Sequence, residues 1–302
     1  MHLAVLGGRG VSRRVALRHR TTYRFARPVT IYPHTIRLRP APHTPATISG
    51  YSLTVDPGEH HITWHQDPFG GWAARLFFPG PSDHLELTVD LVTDLTPVNP
   101  FDFVVEDWAS TVPFTWPEPL RGDLGPYLTP VDDGPDADLV TDWLERRRPR
   151  PGTPIIDFLV ELNRAVRADV DHRTRMEPGV QPPSQTLAEG IGSCRDSAWL
   201  LVSLLRRLGL AARFASGYLV QLAEEGREDV TDLHAWAETY LPGAGWVGLD
   251  ATSGLLCGEG HIPLSCAPRP EAAAPVSGAT DPVEVDFSFE STLTRVPEGT
   301  DA

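Results

Sequence analysis

The chain has 302 residues, of which 41% are hydrophobic, and a formal net charge of −14 at pH 7. This length fits about two domains, and the acidic balance argues against a nucleic-acid partner because no Lys/Arg-rich face is visible beyond the short run Arg146 to Arg148. No apolar run approaches the roughly 18 residues of a membrane span, and three cysteines form no disulfide framework, so we expect no membrane contact and a cytoplasmic location.

The front of the chain reads as β-structure after a short irregular start. Residues 1–14 hold no signal-peptide core, and we interpret them as disordered. Residues 15–130 contain short alternating segments split by Pro, Gly and Asp, which predict an N-terminal β-sandwich-like domain. We expect no metal in this domain, because its histidines lack metal-ligand spacing on one element. These histidines are His19, His34, His43, His60, His61, His65 and His84.

Residues 135–267 form the predicted second domain. Residues 100–135, rich in proline and aromatics, read as an irregular connection. Helical periodicity then appears from Asp138 to Arg147 and again from Pro154, with Thr153 as its cap. A polar loop, RTRMEPGVQPPSQTL, leads into the stretch that holds the chemistry.

Cys194 lies where this loop becomes an apolar helix. Ser193 is a suitable N-cap, Asp196 suits the positive end of the helix dipole, and Gly209 ends the helix. Free amides at such an end favour the thiolate, which is the nucleophilic form of cysteine. The alternative is that Cys194 is a small buried hydrophobe.

Two later strands carry the groups that a thiol nucleophile needs. His234 opens the strand around DLHAW, and Asp250 closes the strand GWVGLD. Sequential strands usually pair, so both side chains can lie beside the start of the helix. The sequence therefore predicts a nucleophile, a base and an orienting carboxylate in Cys194, His234 and Asp250. An amide donor from Gln181 or Gln185 in the preceding loop could complete an oxyanion site with the Cys194 backbone N–H, or could merely stabilise the loop.

Three motifs resemble the transglutaminase-like superfamily, in its bacterial branch of proposed cysteine proteases: GSCRDSAWLLVSLLRRLGLAARFASGYL, DLHAW and GWVGLDAT. The front segment LRHRTTYRFARPVTIYPHTIRLRPAP and the later QDPFGG resemble the β-rich N-terminal region of that branch. The resemblance implies an α+β fold with a papain-like catalytic core, assigns the catalytic roles to Cys194, His234 and Asp250, and favours Gln181 for the oxyanion site. One departure is Ala251, where the family usually has proline.

The resemblance also implies a reaction. It implies acyl transfer through a thioester, without a cofactor, on a peptide or protein amide substrate. The bacterial branch favours hydrolysis by a cysteine peptidase or amidase. Amine transfer that cross-links glutamine side chains, an amidase acting on a small amide in a peptide-ligating system, and a catalytically inactive peptide-binding module stay as alternatives, although an intact triad argues against the last.

The end of the chain holds three further features. Cys257, His261 and Cys266 are loosely spaced, but they match no common zinc pattern, and resemblance gives His261 a structural or pocket-lining role. Residues 268–282 read as a Pro/Ala linker, and 283–302 as a late strand, VEVDFSFE, with a tail. The strand needs a sheet to join. The longest relatives continue with another large region, so a partner domain or protein is also expected.

Overall fold

The computed structural model describes residues 13–223 and 228–297. Helix makes up 22% and strand 41%, which confirms the predicted α+β class. Residues 1–12 of the expected disordered start lie outside the described residues, and the first strand already begins at Arg13.

The front of the chain folds into six strands: β1 (Arg13–Val29), β2 (His34–Ile36), β3 (Thr47–Asp56), β4 (His61–Gln66), β5 (Trp72–Phe77) and β6 (Ser82–Leu95). Their alternating sequences place apolar side chains on one face, as β6 shows along most of its length. The buried face includes Leu17, Leu76, Leu87 and Leu91, all 1% exposed or less. These side chains form the core between the sheets, as the pattern of a sandwich predicts.

The connecting segment contains more regular structure than the sequence suggested. A 3-10 helix at Asp107–Ala109 is followed by β7 (Thr111–Val112), α1 (Glu118–Asp123), α2 (Gly125–Leu128), α3 (Ala137–Glu145) and β8 (Thr153–Pro154). Trp116 and Leu124 share an apolar cluster with Ala211 of the second domain. Placing the end of the β-domain at residue 130 was therefore wrong, because the aromatic residues of this segment pack on the second domain.

The second domain combines helices with one antiparallel sheet. Its elements are α4 (Ile155–Asp169), β9 (Asp171–His172), α5 (Pro183–Glu189), β10 (Ile191–Gly192), α6 (Cys194–Arg207), β11 (Ala212–Gln221), β12 (Val230–Leu241), β13 (Gly245–Asp250), β14 (Leu255–Leu256) and β15 (His261–Ala267). The sheet order is β14-β13-β12-β11-β15. Helix α6 packs on this sheet through Leu200, Leu201 and Leu204, which are fully buried.

The end of the chain returns to the sandwich. After a 3-10 helix at Pro270–Ala273 come β16 (Val276–Ser277) and β17 (Val285–Arg295). The two sheets of the sandwich have the orders β17-β1-β6-β3 and β16-β2-β5-β4. The expectation that 268–282 is a free linker was wrong, because β16 pairs with β2 and Thr280 bridges to Ile31.

The late strand joins a sheet, as its alternation required. β17 pairs with β1 in antiparallel register, with Phe289 opposite Thr21. Val285, Phe287 and Phe289 stay 43%, 37% and 38% exposed on this edge strand. Residues 298–302 of the predicted tail lie outside the described residues.

The two domains share one apolar interface. Tyr218 and Val220 from β11, with Ile262 and Leu264 from β15, belong to the same buried cluster as the sandwich core. On β11, Ala212 and Phe214 pack in the cluster of α6, and Tyr218 and Val220, which continue the same alternation, pack in the cluster of the sandwich. Among the helices in the described ranges, none combines the length and apolar content that a membrane crossing requires.

Candidate active site

Cys194 is the first residue of α6, and the chain around it is tightly fixed. Ser193 is the N-cap, and its backbone N–H donates to the Asp196 carboxylate at 2.8 Å, which is one half of a capping box. The same carboxylate accepts the Gln181 backbone N–H at 2.7 Å and a two-pronged contact from Arg175, with both distances 3.0 Å. Asp196 therefore ties the preceding loop to the helix start that carries Cys194.

The charge of Asp196 is held by these contacts. Burial raises the pKa of this carboxyl, but the Arg175 guanidinium and the donors from Gln181 and Ser193 outweigh it and keep the pKa below its usual range. Asp196 is therefore a buried anion with every partner in place. Its role is to hold the loop and the helix together, and it leaves the Cys194 sulfur free for chemistry.

Strands β12 and β13 bring His234 and Asp250 to Cys194. The His234 ring Nε2 lies 3.2 Å from Asp250 Oδ1, and the ring is close enough to Cys194 for each of the two groups to shift the pKa of the other. Since Nε2 faces the carboxylate, Nδ1 is the ring nitrogen left for the sulfur. The geometry thus unites the cysteine, histidine and aspartate that the sequence pointed to.

A glycine makes room for this arrangement. Gly217 of β11 is paired with His234 of β12. A Cβ placed on Gly217 would lie 2.2 Å from the Ile262 carbonyl oxygen and 2.5 Å from the ring of Trp236. Only glycine fits at this position without moving β15 or the Trp236 ring that stacks near His234.

The Asp250 carboxylate is buried and well supplied with donors. Thr252 donates to Oδ1 from its backbone N–H at 2.9 Å and from its hydroxyl at 2.7 Å. On the other oxygen, His261 Nε2 lies 3.6 Å from Oδ2, while the Gly258 N–H donates to His261 Nδ1 at 3.2 Å. Because Nδ1 accepts, Nε2 carries the ring proton and points it toward Asp250. At 3.6 Å this approach is longer than a hydrogen bond, so His261 lines the carboxylate without bonding to it.

These contacts set the charges of the site. For Cys194, burial raises the pKa, but hydrogen bonds and charge interactions with His172 and His234 bring it down to about 6. For His234, burial lowers the pKa, but Asp250 and Cys194 raise it to about 10. Burial likewise raises the pKa of Asp250, and the two histidines with Thr252 hold it far below its usual range. Near pH 7 the resting site is a thiolate–imidazolium pair beside an ionised carboxylate.

His172 is a neighbour of Cys194 that the sequence did not reveal. Its strand β9 runs parallel to β10, which places His172 beside Gly192, and its side chain lies near enough to lower the pKa of Cys194. It sits in a polar segment 22 residues before the cysteine, and no local periodicity or motif marks it. Only the β9–β10 pairing reveals it.

The two glutamines proposed for the oxyanion site both contact Glu189. The Gln181 amide Nε2 donates to Glu189 at 3.1 Å, and the Gln185 amide donates to the same carboxylate at 2.8 Å. Each amide nitrogen keeps a second N–H, so an oxyanion role for Gln181 or Gln185 stays a prediction. The alternative weighed for them, an amide that stabilises the loop, fits these contacts.

Two groups of donor atoms are close enough to hold a metal ion within the described residues. One is His234, Asp250 and His261, where hydrogen bonds already occupy the carboxylate and orient both rings. The other is His43, Glu238 and Cys266.

A cation already occupies the second group. The Arg213 Nε donates to Glu238 at 2.6 Å, and the Arg213 Nη2 lies 3.3 Å from His43 Nε2. A metal ion would have to displace this guanidinium. The expected loose trio of Cys257, His261 and Cys266 is divided, since His261 faces Asp250 and Cys266 faces His43 at 3.6 Å.

The other two thiols differ from Cys194. Cys257 and Cys266 pack together against Trp236 and Ala215, and burial raises the pKa of both thiols well above the usual value. All three cysteines are free. Cys194 is thus the single cysteine of the three whose pKa is lowered.

Comparisons with known proteins place both halves of the chain. Residues 15–94 match the bacterial transglutaminase-like N-terminal region, and residues 145–251 match the transglutaminase-like superfamily. An uncharacterised protein of Mycobacterium bovis and one of Mycobacterium tuberculosis are each 26% identical over 265 residues, which is 82% of this chain and 82% of theirs. A crystal structure from Cytophaga hutchinsonii, described as a "putative cysteine protease", covers 97% of this chain and 94% of its own with 18% identity and a TM-score of 0.72. That likeness shows the fold.

Proposed function

Since the chain belongs to the transglutaminase-like superfamily, we propose that it catalyses thiol-dependent acyl transfer on peptide or isopeptide amides, with hydrolysis as the main outcome. The observation that carries this proposal is the contact of Cys194 with His234, and of His234 with Asp250, at the first turn of α6. A lowered pKa at Cys194 and a raised one at His234 prepare a nucleophile and an acid at neutral pH.

In the first half-reaction, the Cys194 thiolate attacks the amide carbonyl carbon, and the carbonyl electron pair moves onto oxygen. The protonated His234 then gives its proton to the amide nitrogen as the C–N bond breaks, which releases an amine and leaves a thioester on Cys194. Asp250 contacts Nε2 of the His234 ring, so the proton on the other ring nitrogen, Nδ1, faces the leaving group. The imidazole is neutral at the end of this step.

In the second half-reaction, water attacks the thioester carbonyl while neutral His234 takes a proton from it. The C–S bond breaks, the carboxylic acid leaves, and the Cys194 thiolate faces a protonated His234 again. An amine in place of water would give a new amide by the same steps. The residues are unchanged at the end of either cycle.

The oxyanion formed in both steps needs donors. The first is the backbone N–H of Cys194, at the N-terminus of α6 where amides lack partners in the helix. We assign the second to His172, because β9 holds it beside Gly192 and its side chain is near enough to lower the pKa of Cys194. The amides of Gln181 and Gln185, which donate to Glu189, stay the alternatives for this second donor.

The test is a screen of the full chain against fluorogenic peptide and isopeptide libraries, with and without millimolar primary amine. Release of the free acid that depends on Cys194 supports hydrolysis. Incorporation of a lysine analogue with little free acid would make the protein an amine transferase. Peptide binding without turnover, unchanged in Cys194→Ala, would make it a binding module. We propose a reducing compartment such as the cytoplasm for this activity, since the nucleophile must stay a free thiol.

A further inference from the structure

The N-terminal sandwich has an open side where the outer strands of its two sheets meet. Strand β3 is the last strand of one sheet and β4 is the last strand of the other, as far as the described residues show. Between them lies a cavity of about 550 Å³, here called the seam, lined by Arg39, residues 48–53 of β3, and Ile62 and Trp64 of β4. The seam belongs to the sandwich, whereas Cys194 lies in the other domain.

Arg39 lies in the seam with its charge uncompensated by the chain. Its guanidinium carbon is 4.6 Å from the ring centre of Trp72 and 5.6 Å from those of Tyr51 and Trp64. In residues 13–223 and 228–297, no carboxylate pairs with it and no acceptor takes its N–H groups. Ring stacking holds the plane of a guanidinium and leaves its in-plane fork of donors free for a carboxylate.

A second polar group in the seam also lacks a partner. The Tyr51 hydroxyl is buried and makes no hydrogen bond within the described part of the chain, although Tyr51 lines the seam. Buried hydroxyls usually have a partner, because leaving one unpaired costs stability. A ligand oxygen beside Arg39 could accept from Tyr51 as well.

The edge of β3 is suited to pairing with another strand. β3 pairs only with β6, so its outer backbone groups have no strand partner among the described residues. Its sequence TISGYSLTVD has no Lys, Arg or Pro, the residues that commonly protect an edge from pairing. On the opposite wall, Ile62 and Trp64 are 37% and 36% exposed and offer an apolar surface.

We propose that the seam binds an extended peptide segment that adds to the β3 edge and places an acidic side chain on Arg39. The seam follows the run 48–53 of β3, which fits a peptide rather than a small acid, because six extended residues span about 20 Å. Main-chain pairing supplies affinity, and Arg39 with Tyr51 supplies the preference for a carboxylate. The site is independent of the chemistry at Cys194.

The test uses the full chain as Cys194→Ala, which prevents turnover of the probe. The probe is a fluorescein-labelled, end-blocked peptide of seven residues that alternates valine and threonine around one central glutamate, with a glutamine peptide for comparison. Fluorescence anisotropy should show the glutamate peptide binding at least about 10-fold tighter, as expected for a charge-assisted fork. Arg39→Gln should abolish that preference, while the exposed control Arg121→Gln keeps it.

Two further arms separate the parts of the proposal. Tyr51→Phe keeps the stacking ring and should weaken binding of the glutamate peptide several-fold. This variant still tests the proposal if Arg39→Gln does not fold. Alternate backbone N–H groups of a strand point to opposite edges, and only one edge of the bound peptide faces β3. N-methylation of the odd-numbered peptide residues and of the even-numbered ones should therefore differ: one set should abolish binding and the other should leave it intact. Equal binding of the glutamate and glutamine peptides, equal effects of both methylation phases, or no binding would overturn the proposal.

Discussion

The acidity of Cys194 can be tested directly by alkylation. We predict that iodoacetamide at pH 6 modifies Cys194 well before Cys257 and Cys266. The pKa of Cys194 is lowered to about 6, because its hydrogen bonds to two histidines outweigh its burial. Burial without such partners raises the pKa of the other two thiols.

The size of the effect follows from two opposing factors. At pH 6 a thiol with a pKa of about 6 is about half ionised, whereas an unperturbed one with a pKa near 8.5 is ionised to about 0.3%. The thiolate fraction of Cys194 is thus roughly 150-fold larger than that of an ordinary cysteine. Each of its thiolates reacts about 13-fold more slowly, because nucleophilicity falls with basicity along a Brønsted slope of about 0.45. Cys194 should therefore react about 10-fold faster than an ordinary exposed cysteine, and faster still relative to the two buried thiols.

The assay is mass spectrometry of the three cysteine peptides after timed labelling between pH 4 and 9. In the wild type, the Cys194 rate should rise through about pH 6 and then level off. In His234→Ala the inflection should move up, because one of the two partners that stabilise the thiolate is lost. His84→Ala is the matched control, since the pKa of His84 is also raised by carboxylates, but in the other domain. Equal labelling of all three cysteines in the folded wild type would refute the reasoning.

The remaining predictions concern turnover and stability. Turnover should be bell-shaped in pH, rising as Cys194 ionises near pH 6 and falling as His234 loses its proton near pH 10; a profile still rising above pH 10 would contradict a protonated His234 as the acid. Asp250→Asn should lower kcat by about 10³ to 10⁴-fold and leave a measurable residue, because the ring remains but its tautomer is no longer fixed. His172→Phe should lower kcat by about 10² to 10³-fold with the fold intact by circular dichroism, and an unchanged kcat would remove His172 from the oxyanion site. Leu200→Ala should lower the free energy of unfolding in urea by about 2 to 5 kcal/mol, since Leu200 of α6 is fully buried in the core of the second domain.

The sequence was sufficient to locate the three residues of the candidate site because each of them is fixed by its own element. Cys194 follows a cap and precedes an apolar helix, and His234 lies on a strand whose neighbour ends at Asp250, so local patterns placed all three. His172 escaped notice because its position depends on a two-residue pairing of β9 with β10. Such short pairing leaves no periodicity in the sequence.

The domain limits failed for a related reason. Residues 268–282 are rich in proline and alanine, which is typical of a linker, yet Ser277 pairs with Thr35 and the Arg37 N–H donates to the Pro275 carbonyl. The composition of a segment indicates how much conformational entropy is lost when the segment becomes ordered. It does not show whether a partner strand elsewhere in the chain offsets that loss. The strand β2, more than 200 residues earlier in the chain, supplied that partner and was invisible to any local pattern.

The contacts of Asp250 also explain why the departure from the family motif at Ala251 is compatible with an intact site. A proline after the aspartate would stiffen the backbone, but here the turn is held by other means. Thr252 donates twice to the Asp250 carboxylate, the Gly254 N–H donates to the Asp250 carbonyl at 2.8 Å, and the Asn163 amide donates to the same carbonyl at 3.2 Å. Both the side chain and the backbone of Asp250 are therefore fixed from α4 and from the following turn. The carboxylate keeps its orientation toward His234 without the ring of a proline, so we expect the alanine at position 251 to be tolerated in this site.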